Sequence, residues 1–239
     1  MERVGARTAV IWSVLRAELS ARQGSGLRVV DVGGGTGGFA VPLAQAGHTV
    51  TVVDPSPDAL AALLRRAADA GVADRVDGVQ GDADSLPFSS DEADLVLCHA
   101  VLEVVDDPVS VAQALARVLR PGGAASVLVA NRAAAVLSRA VAGQFKVAAE
   151  LLGDPLGRPK GGGNKTAGQR RFDVESASGL LTKAGLTVEQ VHGVRVVADL
   201  VPGVLADGDP EALAAFELAV SAQPPYRDIA TQLHFLARK

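Results

Sequence analysis

Three carboxylates stand where predicted strands run out. Asp31 lies in Val29-Val30-Asp31-Val32, directly ahead of Gly33-Gly34-Gly35-Thr36-Gly37. A glycine turn of this kind lets the backbone take positive φ and lets a ligand approach with no Cβ in the way. Asp54 ends the next strand, where a carboxylate can accept two hydrogen bonds from ribose hydroxyls. Charging the following helix N-terminus is the other use for it, but Ser56 already serves as that cap. Asp82 follows the third strand in Gly81-Asp82-Ala83-Asp84 and can accept from an exocyclic amine, while Asp84 is expected in solvent. Read alone, Gly33, Gly35 and Gly38 also satisfy the G-x-G-x-x-G of a dinucleotide site, and a ligand-free strand-to-helix turn fits the same residues.

Two further residues are candidates for chemistry. His99 follows the fourth strand, at the carboxyl edge where open α/β sheets bind ligands. It can position a substrate or act as a base; a loop histidine bonded to backbone is the competing reading. Arg195 sits in Val194-Arg195-Val196-Val197, a charge inside an apolar strand. Buried arginine is rare unless paired. Either Asp199 or Glu189 pairs with it, or an edge strand turns it to water, or its planar fork takes a carboxylate or phosphate from a substrate. His48, His192 and His234 are scattered and suggest no metal site. No serine sits at an elbow with a partnered base, so hydrolysis has no support.

The elements that must hold these residues alternate. An amphipathic helix spans Arg7 to Leu19, with Val10, Ile11, Val14 and Leu15 on one side. Strands are expected at Leu27–Val32, Thr49–Val53, Val76–Gln80, Ala93–Cys98 and Ala125–Ala130. Helices are expected at Phe39–Ala46, from Ser56-Pro57 to Ala70, and from Asp107-Pro108 to Leu119, with Pro121-Gly122-Gly123 as a break. Strands this apolar have no wet face, which argues for a doubly wound, mostly parallel α/β sheet covered on both sides. The rhythm then breaks into a helical stretch at 133–152 and a Gly/Pro/Arg/Lys-rich loop at 153–171. A helix from Asp173 to Ala184, an extended run from Leu186 to Val197, a helix from Asp209-Pro210 to Ala222 and a last strand at Ile229–Ala237 complete the chain. The expected organisation is one domain over 1–239: an N-terminal helix in 1–26, a core in 27–130, a basic insert or substrate cap in 131–172 and the rest of the sheet in 173–239.

Composition bounds the rest. The chain has 239 residues, 48% hydrophobic and 21% charged, which is globular and ample for a core. No apolar stretch is long enough for a membrane span, and the charged start Met1-Glu2-Arg3 has no secretory pattern, so a cytoplasmic protein is expected. Cys98 is the only cysteine, which excludes an internal disulfide and a cysteine-based zinc site. The net charge of −4 is uneven: residues 1–130 carry −6 and residues 132–171 carry +6. The basic segment holds Arg132, Arg139, Lys146, Arg158, Lys160, Lys165, Arg170 and Arg171. It reads either as an anion-binding region or as a solvated loop.

Taken together, the motifs resemble the class I S-adenosylmethionine (SAM)-dependent methyltransferases. The D-x-G-x-G-x-G loop of that family matches Asp31, Gly33, Gly35 and Gly37, its ribose acid matches Asp54, and its adenine-side acid matches Asp82, with Ala83 as a backbone contact. The fourth strand and the Leu119-Arg120-Pro121-Gly122-Gly123 turn also fit. The resemblance implies a Rossmann-like fold with its last strand antiparallel, and SAM held by Asp31, Gly33, Gly35, Gly37, Asp54, Asp82, Ala83 and His99. A nicotinamide cofactor would need its pyrophosphate at the helix N-terminus. SAM has none, and an acid such as Asp31 suits its cationic methionine end.

A narrower resemblance runs further along the chain. It rests on His99-Ala100-Val101-Leu102-Glu103, Asp107-Pro108, Asn131, Gly143-Gln144-Phe145, Gly193-Val194-Arg195-Val196 with Asp199, and the tail from Glu217 through Pro225-Tyr226 to His234 and Ala237-Arg238-Lys239. These look like the tRNA 5-carboxymethoxyuridine methyltransferases, which esterify a carboxylate on a modified wobble uridine. Val104, where that group tends to place an aromatic, and much of 153–171 depart from the pattern.

Methyl transfer from a sulfonium asks the protein mainly to position two reactants and exclude water. A carboxylate acceptor is already ionised at neutral pH, whereas a phenol or amine benefits from a base. The economical expectation is a pre-ionised acceptor held by Arg195, with His99 as the available base otherwise. The partners expected are SAM and either tRNA or a small anionic metabolite. The low aromatic content favours the metabolite and the +6 segment favours RNA. A non-catalytic SAM-binding protein and a nicotinamide oxidoreductase are the more distant readings.

Overall fold

The computed structural model describes residues 5–22, 26–158 and 169–239. The expectations for Met1-Glu2-Arg3, Lys160, Gly161-Gly162-Gly163 and Lys165 lie outside those residues. Numbered along the chain, the strands are β1 (Arg28–Val32), β2 (Thr49–Asp54), β3 (Val76–Gln80), β4 (Ala93–His99), β5 (Leu119–Ala130), β6 (Thr187–Val194) and β7 (Gln232–Arg238). They form one sheet in the order β3-β2-β1-β4-β5-β7-β6, mostly parallel with an antiparallel end and flanked by helices. The helices are α1 (Ala9–Ala21), α2 (Ala40–Gln45), α3 (Pro57–Asp69), α4 (Pro108–Val118), α5 (Arg132–Val141), α6 (Phe145–Gly153), α7 (Val174–Lys183), α8 (Gly203–Gly208), α9 (Pro210–Val220) and α10 (Tyr226–Ile229). The expected doubly wound sheet is therefore present.

The chain forms two compact units, and the first holds Gln23–Val127, Gly179–Glu189 and Leu236–Lys239. Val29, Val30 and Val32 of β1 and Leu95, Val96 and Leu97 of β4 are all buried, as a strand covered on both faces requires. In register, Val32 pairs with Val53 of β2 and with Cys98 of β4, so the carboxyl ends of three strands arrive together. The strand order reverses between β1 and β4, which is the switch point where ligands bind in such sheets. Helix α3 begins where the Ser56 side chain accepts the Ala59 N–H, with Pro57 in the first turn. It buries Leu60, Leu63 and Ala67, spaced along one face. Helix α4 begins in the same way, with Asp107 accepting the N–H groups of Val109 and Ser110.

The second unit holds Met1–Arg22, Leu128–Ser178 and Gln190–Phe235. The expected apolar face of α1 is buried, and α1 packs on α9. Asn131 starts α5 by accepting the Ala133 N–H, and Asp209 starts α9 by accepting the Ala212 N–H.

Four expectations need correction. The last strand begins at Gln232 and not at Ile229, which ends the short helix α10. The helical stretch at 133–152 is two helices, because Gly143 takes φ +72° and its N–H closes α5 on the Ala140 carbonyl. The fifth strand does not begin at Ala125 but runs back through Pro121-Gly122-Gly123 to Leu119. Pairing accounts for it: the Gly122 N–H donates to the Lys239 carbonyl at 2.9 Å and the Lys239 N–H to Gly123 at 3.0 Å. Finally, the extended run at 186–197 stops at Val194, and Arg195 turns away from the strand at φ +59°.

Candidate active site

The site is built at the carboxyl ends of β1, β2 and β4. Asp31 is 2% exposed, and its Oδ2 has no hydrogen-bond partner among the described residues. Burial, with Asp54 adding repulsion, pushes its carboxyl up to about 7. A buried acid without a partner is costly, and a cation at that oxygen would repay the cost.

The glycine turn is threaded between fixed groups. The Gly33 N–H donates to the Val53 carbonyl at 2.7 Å, which ties the turn to β2. Gly33, Gly35 and Gly37 take φ of +70°, +55° and +81°, so the expected glycines are needed for their conformation. Gly34 falls between the motif glycines, yet a Cβ built on it would stand 2.5 Å from Asp31 Oδ2. The glycine run around it carried that signal without singling it out. Beside Gly35 and Gly38, by contrast, a Cβ would meet nothing within 4 Å. The turn therefore offers bare backbone next to open space.

Asp54 holds this arrangement from the neighbouring strand. Its Oδ2 accepts the Gly35 N–H at 3.0 Å and its Oδ1 accepts the Ser56 N–H at 2.9 Å. The remaining lone pairs of that carboxylate can still accept from hydroxyls. The Gly81 N–H reaches the Asp54 carbonyl at 3.4 Å, which brings the segment after β3 alongside. There Asp82 and Asp84 are exposed and Ala83 is half-buried.

His99 is half-buried at the end of β4. Its Nε2 lies 2.9 Å from Ser126 Oγ, and its ring meets the edge of Phe39 with centroids 4.7 Å apart at 81°. Burial lowers its pKa to about 4, so the ring is neutral at physiological pH and a weak base. Ala100 follows at φ +58°, a conformation that costs a non-glycine residue about 1–3 kcal/mol. It swings Val101 back over the turn, where the Val101 Cγ2 fills the space that a Cβ on Gly33 would need. Cys98 is fully buried, and burial with Glu103 and Asp31 nearby raises its thiol, so it is a core residue and not a nucleophile.

Arg195 lies in the second unit, after β6 rather than inside it. Its Nη1 is 3.4 Å from Asp199 Oδ2, while Glu189 is engaged by Arg238 at 2.6 Å. Of the two acids considered as structural partners, Asp199 is the one it meets. In the basic segment Arg132 pairs with Asp173, Arg139 donates to Gln144, and Arg171 donates to the carbonyls of Gly157 and Gln169. Among the described residues no group of His, Cys, Asp or Glu is arranged to hold a metal ion. None of the described helices is long and apolar enough to cross a membrane.

Comparison with known proteins adds chemistry to this geometry. A family described as methyltransferase domain matches residues 30–127. Over 235 residues the chain is 33% identical to the tRNA 5-carboxymethoxyuridine methyltransferase of Escherichia coli (strain K12), covering 98% of this chain and 88% of that protein. It is 33% identical over 174 residues to the ubiquinone biosynthesis O-methyltransferase of Xylella fastidiosa (strain 9a5c), covering 72% of this chain and 65% of that protein. Among solved structures, an S-adenosylmethionine-dependent methyltransferase from Mesorhizobium loti superposes with a TM-score of 0.64 at 22% identity, covering 98% of this chain and 100% of that one. The [4+2]-cyclase SpnF superposes at 0.62 with 23% identity, covering 95% of this chain and 80% of that one. At those identities the structural likeness speaks for the fold alone.

Proposed function

The chain belongs to the SAM-dependent methyltransferases, and from that premise we propose that it transfers the methyl group to a carboxylate on a modified tRNA uridine. The observation that carries this reading is the setting of His99 at the end of β4, its ring against the edge of Phe39 and its Nε2 bonded to Ser126, where burial lowers its pKa to about 4. A phenol or amine acceptor would have to give up its proton to such a group, which is far too weak a base for the task. A carboxylate arrives ionised, with a pKa of about 4. The name of the Escherichia coli relative, which aligns over nearly the whole chain, supports the same acceptor, as does the basic segment at 132–171. A tRNA acceptor implies work in the cytoplasm.

SAM supplies an electrophilic methyl group and so carries its own activation. In the proposed arrangement Asp31 takes the cationic methionine end, since it presents a buried oxygen in need of a positive partner. Gly33, Gly35 and Gly37 admit the ligand to bare backbone, and Asp54 keeps the turn in place while offering its outer lone pairs to ribose hydroxyls. Asp82 and Ala83 line the adenine side. His99, neutral and bonded to Ser126, shapes the wall near the reacting groups. Arg195 holds the acceptor carboxylate through its planar fork.

The alternative acceptor is a small metabolite, which the ubiquinone-biosynthesis relative favours. Labelled methyl transfer from SAM into total tRNA, run beside a small-molecule extract, separates the two. The proposal expects label in tRNA that is released as methanol by mild alkali, as a methyl ester requires. Label confined to the extract, or alkali-stable label in tRNA, contradicts it.

A further inference from the structure

We propose that Glu217 is a positioning residue: it clamps the 195–198 turn and thereby presents Arg195 to the acceptor. This deepens the preceding reading and rests on it. Glu217 projects from α9 and is 0% exposed. Its Oε2 accepts the Val196 N–H, and its Oε1 accepts those of Val197 and Ala198, all three at 2.8 Å. Three consecutive amides converging on one anion form a backbone nest. Val220, one turn along the same face of α9, packs with Val196 and Ala230, so a single helix face delivers both the charge and the packing. On the other side the Arg195 carbonyl accepts the Thr231 N–H at 3.2 Å.

The residue held between these anchors is not one that the turn would choose. Arg195 takes φ +59°, where glycine is at ease and arginine is strained. Its side chain is half-buried, and its Nε is buried without a hydrogen-bond partner among the described residues. Its ion pair with Asp199 is long at 3.4 Å, and the other oxygen of Asp199 lies 3.4 Å from Arg7. A guanidinium so weakly held keeps donors available for a second carboxylate. A turn with no task could take glycine at 195 and dispense with a buried acid at 217. This chain has arginine at 195 and a buried glutamate at 217, and Glu217 acts on the acceptor only through Arg195.

The test is steady-state kinetics with tRNA bearing 5-carboxymethoxyuridine, using Glu217→Gln, Glu217→Asp, Arg195→Ala and the Glu217→Gln/Arg195→Ala double variant. Glutamine keeps one acceptor atom and loses the charge. It is expected to raise the acceptor KM by about tenfold or more, in line with losing charge-assisted hydrogen bonds, while SAM affinity and kcat stay within about twofold. The double variant should be no worse than Arg195→Ala, because one effect runs through the other. Glu217→Asp retains the charge with a shorter reach and should fall between; it stands in if the glutamine variant does not fold. An unchanged acceptor KM in the folded Glu217 variants, losses that add to those of Arg195→Ala, or a parallel loss of SAM binding would overturn the inference. If Arg195→Ala itself leaves the acceptor KM unchanged, the carboxylate reading fails and takes this inference with it. If Arg195→Ala raises it and the Glu217 variants do not, only this inference fails.

Discussion

Gly34 lies so close to Asp31 that an added Cβ would stand 2.5 Å from the carboxylate Oδ2, and 3.0 Å from Val52 Cγ1. Neither neighbour can yield freely in a packed strand. Alanine at this position must push the acid aside or lift the turn. Gly34→Ala is expected to fold and to weaken SAM binding by at least about tenfold, roughly 1.4 kcal/mol. Calorimetric titration checks it; an unchanged affinity would separate the turn from the cofactor.

If Asp31 takes the cationic end of SAM as proposed, its raised pKa makes cofactor binding depend on pH. In the free protein the carboxyl holds its proton up to about pH 7. A cationic ligand needs the ionised form, so SAM affinity should be full above pH 7 and fall by about tenfold per unit below it. Binding near pH 6 should release a proton, seen as a buffer-dependent heat. The same group sets a stability trend in the free protein: the unfolded chain ionises near 4 and the folded one near 7. The contribution is favourable below that window and is lost as pH rises through it. Asp31→Asn should therefore raise the Tm of the free protein at pH 8 and cost SAM affinity.

His99 and Arg195 should behave differently. With a pKa of about 4, His99 contributes no titration between pH 5 and 8. His99→Gln should lower kcat by less than about tenfold and leave the pH profile unchanged in that range. Arg195→Ala should raise the acceptor KM roughly 10- to 100-fold, the worth of a hydrogen bond to a charged group. A large loss from the histidine change with little from the arginine change would reverse the assignment.

Asn131 is a structural keystone of the second unit. It is 2% exposed, donates through Nδ2 to the carbonyls of Asp228 at 2.9 Å and Ala230 at 2.7 Å, and caps α5 through the Ala133 N–H. Alanine would orphan two carbonyls and the cap. The expected loss is about 2–4 kcal/mol, or roughly 4–16 °C in Tm, measured by thermal unfolding.

The sheet and the strand-to-glycine turn were legible because local pattern dictates them. A buried strand that runs into glycines has few other conformations, and Ser56-Pro57 and Asp107-Pro108 mark helix starts by their own chemistry. Gly34 was not singled out, because its constraint comes from the packing of Asp31 and Val52 and not from the turn itself. His99 stands at the end of β4, as its place in the sequence suggests, but its lost basicity comes from burial beside Phe39 and Ser126. Arg195 was read as part of a strand because its neighbours are apolar. The turn is imposed by Glu217, 21 residues beyond Val196, a contact with no local signature. The break at Gly143 was readable, but the alanine-rich stretch on its N-terminal side masked it.

The most direct test is nucleoside mass analysis after incubating the purified protein with SAM and tRNA that carries 5-carboxymethoxyuridine. The account predicts that this nucleoside gains one methyl group, that the gain is erased by mild alkali, and that it is lost with Arg195→Ala at subsaturating tRNA. An unmodified nucleoside, in a preparation that binds SAM and methylates a small metabolite, would contradict it.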